Sequence, residues 1–289
     1  MTRIRTEHFY HEYIPEYLQQ SLANMLKIMP KKLLILGGTH EAYELAECLV
    51  SEFSSEQLIV ISSLAGATVK PKIPAGEVRI GSFGGLSGLR NYLVREKISM
   101  LVNATHPYAS QISKNALAVA KELRLPYLRL TRPPWVKLPG DHWIEVPDME
   151  AAANYLIDHK TVSQNQLSKH SVFLSIGNRG LNLFRECKNN RFLVRTVDLP
   201  DVSSSWTKAT FLEGRGPFTL ENELALLRQN AITILITRNS GGGSTYAKIE
   251  AARELRIPVV MVARPVTSSS EICQSLDDTT NWISKKIML

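Results

Sequence analysis

An α/β chain, with two parallel sheets meeting at a cleft, is what three features of this 289-residue sequence predict. From Lys31 onward short apolar runs alternate with amphipathic stretches, the pattern of repeated strand–helix–strand units. The runs end in glycines or small polar residues, and parallel sheets bind ligands beyond the carboxyl ends of their strands. The chain also matches itself: an offset of 132 residues lays 121–133 on 253–265 with six of thirteen positions identical. The same offset lays 99–104 on 231–236 and Thr105 on Thr237, which predicts two similar halves.

Residues 1–30 carry tyrosines, histidines and glutamates, with helix-like apolar spacing from Ile14 to Ile28; an extension over 1–31 is expected to be peripheral and without chemistry. The run 31–36 predicts a buried strand ending in Gly37-Gly38-Thr39, and 41–49 have helical spacing. A second strand, 57–62, ends in Ser62-Ser63-Leu64-Ala65-Gly66. Residues 78–80 lead into Gly81-Ser82-Phe83-Gly84-Gly85 and a helix from 87 to about 97. The strand 99–103 ends in Ala104-Thr105-His106-Pro107-Tyr108, and after another helix 126–130 closes on Thr131-Arg132-Pro133-Pro134. Turn formers from Pro133 to Asp141 mark a boundary, giving two Rossmann-like parallel-sheet domains over 32–135 and 136–289. In the second half we expect a helix over 149–157, a strand 171–176 ending in Gly177-Asn178-Arg179-Gly180, a strand 191–197 and a helix 221–229. A strand 232–236 then opens into a glycine-rich loop, Arg238 to Tyr246, and a helix through Arg256. The tail, 267–289, reads as a linker and a closing helix.

Composition narrows the function. With 44% hydrophobic and 21% charged residues the chain is neither disordered nor collagen-like. Cys48, Cys187 and Cys273 are far apart and lack zinc-ligand spacing, so no metal site is expected. No run approaches the roughly 20 apolar residues that span a bilayer, and no secretory leader is visible, which predicts a cytoplasmic protein without a membrane partner. The net charge of +7 favours anionic partners, and because the densest basic runs, Lys70-Pro71-Lys72 and Lys285-Lys286, are short, small anions are expected rather than nucleic acid.

Gly37-Gly38-Thr39 is a candidate phosphate loop, since glycines admit a phosphate to the free N–H groups of a helix start; it lacks the full GxGxxG spacing and could equally be a tight turn. Strands that select NAD commonly end in Asp or Glu about 20 residues on, to hold the ribose 2′-hydroxyl. Here Ser62 and Ser63 stand there, which slightly favours NADPH over NADH, with the Leu64 to Gly66 backbone and Lys70 or Lys72 as further partners for a 2′-phosphate. Gly81 to Gly85 and Ala104 to Tyr108 could wall one crevice, where His106 and Tyr108 could donate a proton or a hydrogen bond; a histidine before proline could also be structural. In the second half the Arg238–Thr245 loop and Lys248 could bind carboxylate or phosphate, with Gly177-Asn178-Arg179, Arg195 and Gly214-Arg215-Gly216-Pro217-Phe218 adding donors, although each arginine alone could be a solvated surface group.

Taken in order, the motifs resemble the precorrin-6A reductase family of cobalamin biosynthesis, with its cobalt-precorrin-6A relatives. The resemblance runs from Lys32 to Trp282 and rests on Ile35-Leu-Gly-Gly-Thr-His-Glu41, Ser63-Leu-Ala-Gly66, Arg79-Ile-Gly-Ser-Phe-Gly-Gly85 with Gly88-Leu89, Ala104-Thr-His-Pro-Tyr-Ala109, Gly216-Pro-Phe218, and Asn239-Ser-Gly241 followed by Lys248 and Ala251-Ala-Arg253. It implies NAD(P)H-dependent reduction of one double bond of precorrin-6A or cobalt-precorrin-6A, with hydride to C19 and a proton to C18. No metal or flavin is needed. The first domain would hold the cofactor through Gly37, Gly38, Thr39, Glu41, Ser62, Ser63, Leu64, Gly66, Gly84, Gly85, Thr105, His106 and Pro107. The second would hold the macrocycle's acid side chains through Arg179, Arg195, Gly216, Asn239, Ser240, Gly241, Gly242, Thr245 and Lys248. His106, Tyr108, Lys248 and water are the candidate proton donors. Two departures matter: Ala67 stands where many members have an arginine, and Asn103 where many have an acid. The alternatives are an NADPH-sensing regulator and a generic short-chain dehydrogenase, whose Tyr-x-x-x-Lys helix has no convincing counterpart here.

Overall fold

The computed structural model describes residues 15, 29–66, 71–158, 162–163, 166–167, 170–200, 205–266 and 271–288. The expected N-terminal helix, Ala67 and Lys70 lie outside them.

The first half runs β1 (Lys31–Leu36), α1 (His40–Glu52), β2 (Leu58–Leu64), β3 (Glu77–Ile80), α2 (Gly85–Arg95), β4 (Met100–Asn103), α3 (Ser110–Glu122) and β5 (Tyr127–Leu130). The second runs β6 (Trp143–Val146), α4 (Met149–Asp158), a hairpin of β7 (Val162–Ser163) and β8 (Gln166–Leu167), β9 (Ser171–Ser175), a 3₁₀ turn (Leu181–Phe184), β10 (Arg191–Thr196), β11 (Ala209–Glu213), α5 (Leu220–Gln229), β12 (Ile234–Arg238), α6 (Ala247–Glu254) and β13 (Val259–Val262). β14 (Ile272–Cys273) and α7 (Leu276–Ile287) follow.

These strands make two six-stranded sheets, β14-β5-β4-β1-β2-β3 and β11-β10-β9-β12-β13-β6, with every pairing parallel. Strands covered on both faces are buried along their length, as β4, β5 and β13 are at every position, Asn103 and Arg129 included. In the first sheet alternate residues sort to opposite sides: Leu33, Ile35 and Leu128 pack under α1 and α7, whereas Leu34, Leu36 and Leu101 pack under α2 and α3. Polar caps start the helices where the sequence puts Thr39, Thr219 and Ser275, whose side chains accept from the N–H three residues on.

The internal repeat is real, but its register changes along the chain. Arg124 and Arg256, 132 apart, both leave a helix in the left-handed conformation with φ of 52°, and β5 and β13 follow in step. One strand earlier the equivalent residues are 134 apart: Lys97 and Ala231 are the left-handed pair, and Leu101 N–H bonds Pro126 O as Leu235 N–H bonds Pro258 O. Thus Asn103, not Thr105, is the counterpart of Thr237, because the second half is two residues shorter between these strands.

Two crossings join the sheets: the first falls at the expected boundary, and the second returns part of 136–289 to the first sheet. After β5, the chain passes through Arg132-Pro133 and lays β6 on the edge of the second sheet, in register with β13. After β13 it passes through Arg264-Pro265 and lays β14 beside β5 in the first sheet, while Trp282, Ile283 and Ile287 of α7 pack with the first sheet's core. β14 and α7 of the second half therefore complete the first sheet, while β6 forms the edge of its own half's sheet. Among the described residues of the tail, 271–288 hold the strand β14 before the expected closing helix, and 267–270 lie outside them. β6 and β11 were not expected, because as edge strands they are mostly half-buried or exposed instead of forming a buried apolar run.

Candidate active site

In both sheets the strand order reverses at the centre, between β1 and β4 and between β9 and β12, which opens a crevice at the carboxyl ends of those strands. At the first of these points Gly37 N–H bonds Ser63 O and Ala104 N–H bonds Leu36 O, so the loops after β1, β2 and β4 are laced together. Thr39 caps α1 through Ala42 N and donates its hydroxyl to Ala104 O at 2.8 Å. Gly38 has φ of +103°, and a Cβ built there would meet nothing within 4 Å. That combination of a left-handed glycine, open space above it and a helix start suits a phosphate, and Gly84 and Gly85, after β3, have the same open, left-handed backbone. The residues present therefore fit a dinucleotide.

Not every residue expected to touch the cofactor is free to do so. Glu41 forms a two-pronged pair with Arg132, both oxygens 3.0 Å from Nη1; burial pushes its carboxyl up, but Arg132 and hydrogen bonds from its own N–H and from Thr39 hold it below the ordinary value. The Thr105 hydroxyl is turned to Asn103 Oδ1 at 2.8 Å and lies 3.4 Å from Ser113. Asn103 in turn donates to the Tyr127 hydroxyl, a bond an ionised carboxylate there could not make. Ser62 and Ser63 are buried at the end of β2, and the Ser62 hydroxyl has no protein partner.

The three candidate proton donors separate cleanly. Tyr108 is spent as a bridge between halves: its hydroxyl donates to Val262 O at 2.5 Å and accepts from Asn239 N–H at 2.8 Å, and burial pushes its pKa up to about 12. His106 accepts from Tyr108 N–H at Nδ1, which leaves its proton on Nε2. Burial, then Arg132, Arg238, Arg264 and Lys248, lower its pKa to about 3, so its imidazole is neutral. Lys248 is buried beneath the glycine-rich loop, donates to Thr245 O at 2.7 Å and lies 4.7 Å from the centre of the Trp135 ring. Burial and then Arg195 lower its pKa to about 7.

The glycine-rich loop after β12 holds the halves together. Asn239 uses its side chain like a strand partner, accepting from Trp135 N–H at 2.7 Å and donating to Trp135 O at 3.0 Å. Ser240 O accepts from Arg132 and Arg264, and Trp135 Nε1 donates to Gly242 O. A side chain at Gly241 would strike Pro133 O at 2.1 Å, and one at Gly242 would meet Arg132 at 2.8 Å. Gly216 packs on the same loop, where a Cβ would lie 2.6 Å from Ser244 O. Arg195 is buried in a two-pronged pair with Glu223, both bonds 2.7 Å, between the rings of Phe173 and Phe218. Its place is the core of the second half, not the cleft. Arg179 remains exposed at the end of β9, and its carbonyl accepts from Arg238.

Sequence reasoning did not single out four arginines, although Arg238 opens the loop it read as anion-binding. Arg238 stands at the end of β12 with its guanidinium 5.3 Å from the Tyr108 ring centre and its Nε buried without a partner. Arg79 stands at the end of β3 beside Ser63. Arg132 and Arg264 were inside the repeated thirteen-residue match, so the repeated Arg-Pro was the available signal. Among the described residues no group of three or more histidines, cysteines or acids could hold a metal, and no helix is long and apolar enough to cross a membrane.

Comparison with known proteins agrees with this architecture. The family described as Precorrin-6x reductase CbiJ/CobK matches residues 32–284. A precorrin-6A reductase of Rhodococcus erythropolis is 40% identical over 253 residues, covering 87% of this chain and 97% of the relative. A cobalt-precorrin-6A reductase of a Synechocystis species is 26% identical over 260 residues, covering 88% and 96%. A solved structure, described as CobK precorrin-6A reductase, superposes with a TM-score of 0.79 at 35% identity, covering 89% of this chain and 97% of its own. The chain belongs to the precorrin-6x reductase CbiJ/CobK family.

Proposed function

We propose that this enzyme reduces precorrin-6A in cobalamin biosynthesis with NADPH, holding the nucleotide at the carboxyl edge of the first sheet and the macrocycle against that of the second. The observation that carries the reading is the junction itself: the Tyr108 hydroxyl, from the loop after β4, bonds Val262 O and Asn239 N–H at the ends of β13 and β12. The two ligand-binding edges therefore open onto one space. The domain roles follow, with the nucleotide on 32–135 and the macrocycle on the half that starts at 136, apart from the returning 271–288. NADPH is preferred over NADH because no acid stands at the carboxyl end of β2. The greater likeness to the Rhodococcus relative than to the Synechocystis one favours the metal-free macrocycle over its cobalt form.

When bound, the reduced nicotinamide supplies the hydride. The chain's own contribution is placement and charge. Gly37, Gly38 and Thr39 would seat the pyrophosphate, with Gly84, Gly85 and Pro107 as neighbouring walls. Arg238, with its unpartnered Nε, would take an acid side chain of the macrocycle, and Arg132, Arg264 and Lys248 add to the positive field around His106. His106 would serve as a neutral hydrogen-bond donor through Nε2, orienting rather than protonating. The C18 proton would come from water, because the Tyr108 hydroxyl is fully engaged and Lys248 is enclosed. Holding donor and acceptor at reacting distance can remove several kcal/mol, up to roughly 7–11, from the barrier.

The test is turnover with precorrin-6A and with its cobalt form, using NADPH deuterated at the transferred position. Deuterium at C19 is expected, with faster turnover of the metal-free macrocycle. Nucleotide binding with no turnover of either would replace this reading with a nucleotide-sensing regulator.

A further inference from the structure

We infer that Arg79 is the residue that recognises the nucleotide's 2′-phosphate; the inference rests on the nucleotide reading above. β2 and β3 pair in register, with Ser63 opposite Arg79, so both side chains stand on one face at the carboxyl edge where a dinucleotide's adenosine ribose lies. The Arg79 guanidinium is held in place: Nη1 donates to Ser63 Oγ at 3.2 Å and to Gly81 O at 2.6 Å, Nη2 donates to Ser82 O at 2.7 Å, and its carbon lies 3.7 Å from the centre of the Phe83 ring.

Every one of those partners is a neutral oxygen. Among the described residues no carboxylate pairs with Arg79; burial lowers its pKa most, Tyr92 opposes that, and Arg95 lowers it further. A turn needs only a hydrogen-bond donor; a fixed, uncompensated guanidinium is what a dianion needs. The surroundings agree. Gly66 and Gly81 have φ of +74° and +121°, the Gly66 Cβ position lies 3.7 Å from Gly81 Cα, and the Gly81 Cβ position is open, so two left-handed turns leave bare backbone around the guanidinium. The Arg79 guanidinium over the Phe83 ring adds an edge against which an adenine could rest. Ala67 thus need not be the arginine common in the family, because strand β3 carries the charge instead.

Calorimetric titration of the full chain with 2′-phospho-ADP-ribose and with ADP-ribose tests this without turnover. The unaltered chain should bind the 2′-phosphate form at least ~10-fold tighter, and Arg79→Leu should weaken that form by about 10- to 100-fold while changing ADP-ribose by less than about 3-fold. Arg79→Lys, which keeps the charge, should retain part of the preference. Equal weakening of both ligands in Arg79→Leu would overturn the inference, leaving Arg79 as a shaper of the Gly81 turn. An unaltered preference in that variant would also overturn it. If the unaltered chain binds neither ligand, the nucleotide reading falls, and this inference with it.

Discussion

Arg264 donates from Nη1 to the carbonyl oxygen of Arg132 at 2.8 Å, and both guanidiniums converge on Ser240 O, Arg132 through Nε at 2.8 Å and Arg264 through Nη2 at 2.9 Å. The two residues are repeat-equivalent, and each leads the strand that crosses to the other sheet. A device present once per half therefore closes on itself at the junction. It fixes the distance between the carboxyl edges of the two sheets.

Arg132 also carries Glu41, and the side chains of that pair are only 14% and 23% exposed. Arg132→Ala should cost about 2–4 kcal/mol of stability, since it strands Glu41 and one acceptance at Ser240. Glu41→Gln should cost less. A carboxyl with a lowered folded pKa stabilises above its unfolded value near 4.5 and loses that contribution as pH falls through the lower folded one. Denaturant unfolding from pH 7 to pH 3 should therefore show a steeper loss for the unaltered chain than for Glu41→Gln; parallel curves would contradict the pairing.

Arg195 and Glu223 are a buried structural pair, with side-chain exposures of 7% and 2%. Glu223→Gln should destabilise by roughly 3–5 kcal/mol by leaving a buried guanidinium uncompensated, and Arg195→Met with Glu223→Leu should cost less than either alone. A double-mutant cycle in thermal unfolding checks this. A stable Arg195→Met that has lost only substrate affinity would return Arg195 to the cleft.

Tyr108→Phe removes the bridge from β4 to β12 and β13 but no proton source. Stability should fall by about 1–2 kcal/mol, and single-turnover hydride transfer should stay within about 10-fold. A loss of three or more orders of magnitude would make the hydroxyl the acid after all.

His106, with its pKa lowered to about 3, is neutral in the fold but charged in the unfolded chain below its ordinary 6.5. It therefore takes stability away as pH falls from 6.5 towards 3. Its ring protons should show no titration above about pH 4.5 in nuclear magnetic resonance, and the pH–rate profile should show no histidine step between about pH 5 and pH 8. A midpoint near 6.5 would refute this electrostatic picture.

Much of this was legible in the residues. Buried central strands announce themselves as apolar runs, as 31–36 and 99–103 do, and the glycine clusters after them marked the switch points. Edge strands do so less: 78–80 were read, but β6 and β11 are mostly half-buried or exposed, and their identity depends on a neighbour that sequence spacing does not name. Site residues divided along the same line. Gly38 could be read locally, since an open left-handed turn is a property of the backbone. Asn239 and Gly241 could not, because a loop that binds an anion and a loop that buttresses a crossover use the same small residues. The buttress shows only in the fold, where a Cβ at Gly241 would strike Pro133 O. Arg195 likewise became a core residue only once Glu223 was folded against it.

The most direct measurement is a crystal structure of the chain with NADP⁺ and reduced macrocycle bound. The pyrophosphate should lie over Gly37, Gly38 and Thr39, with the macrocycle's acid groups towards Arg238. A dinucleotide seated at the end of β9 instead, or a macrocycle on the first sheet's side of the Tyr108 bridge, would contradict the account.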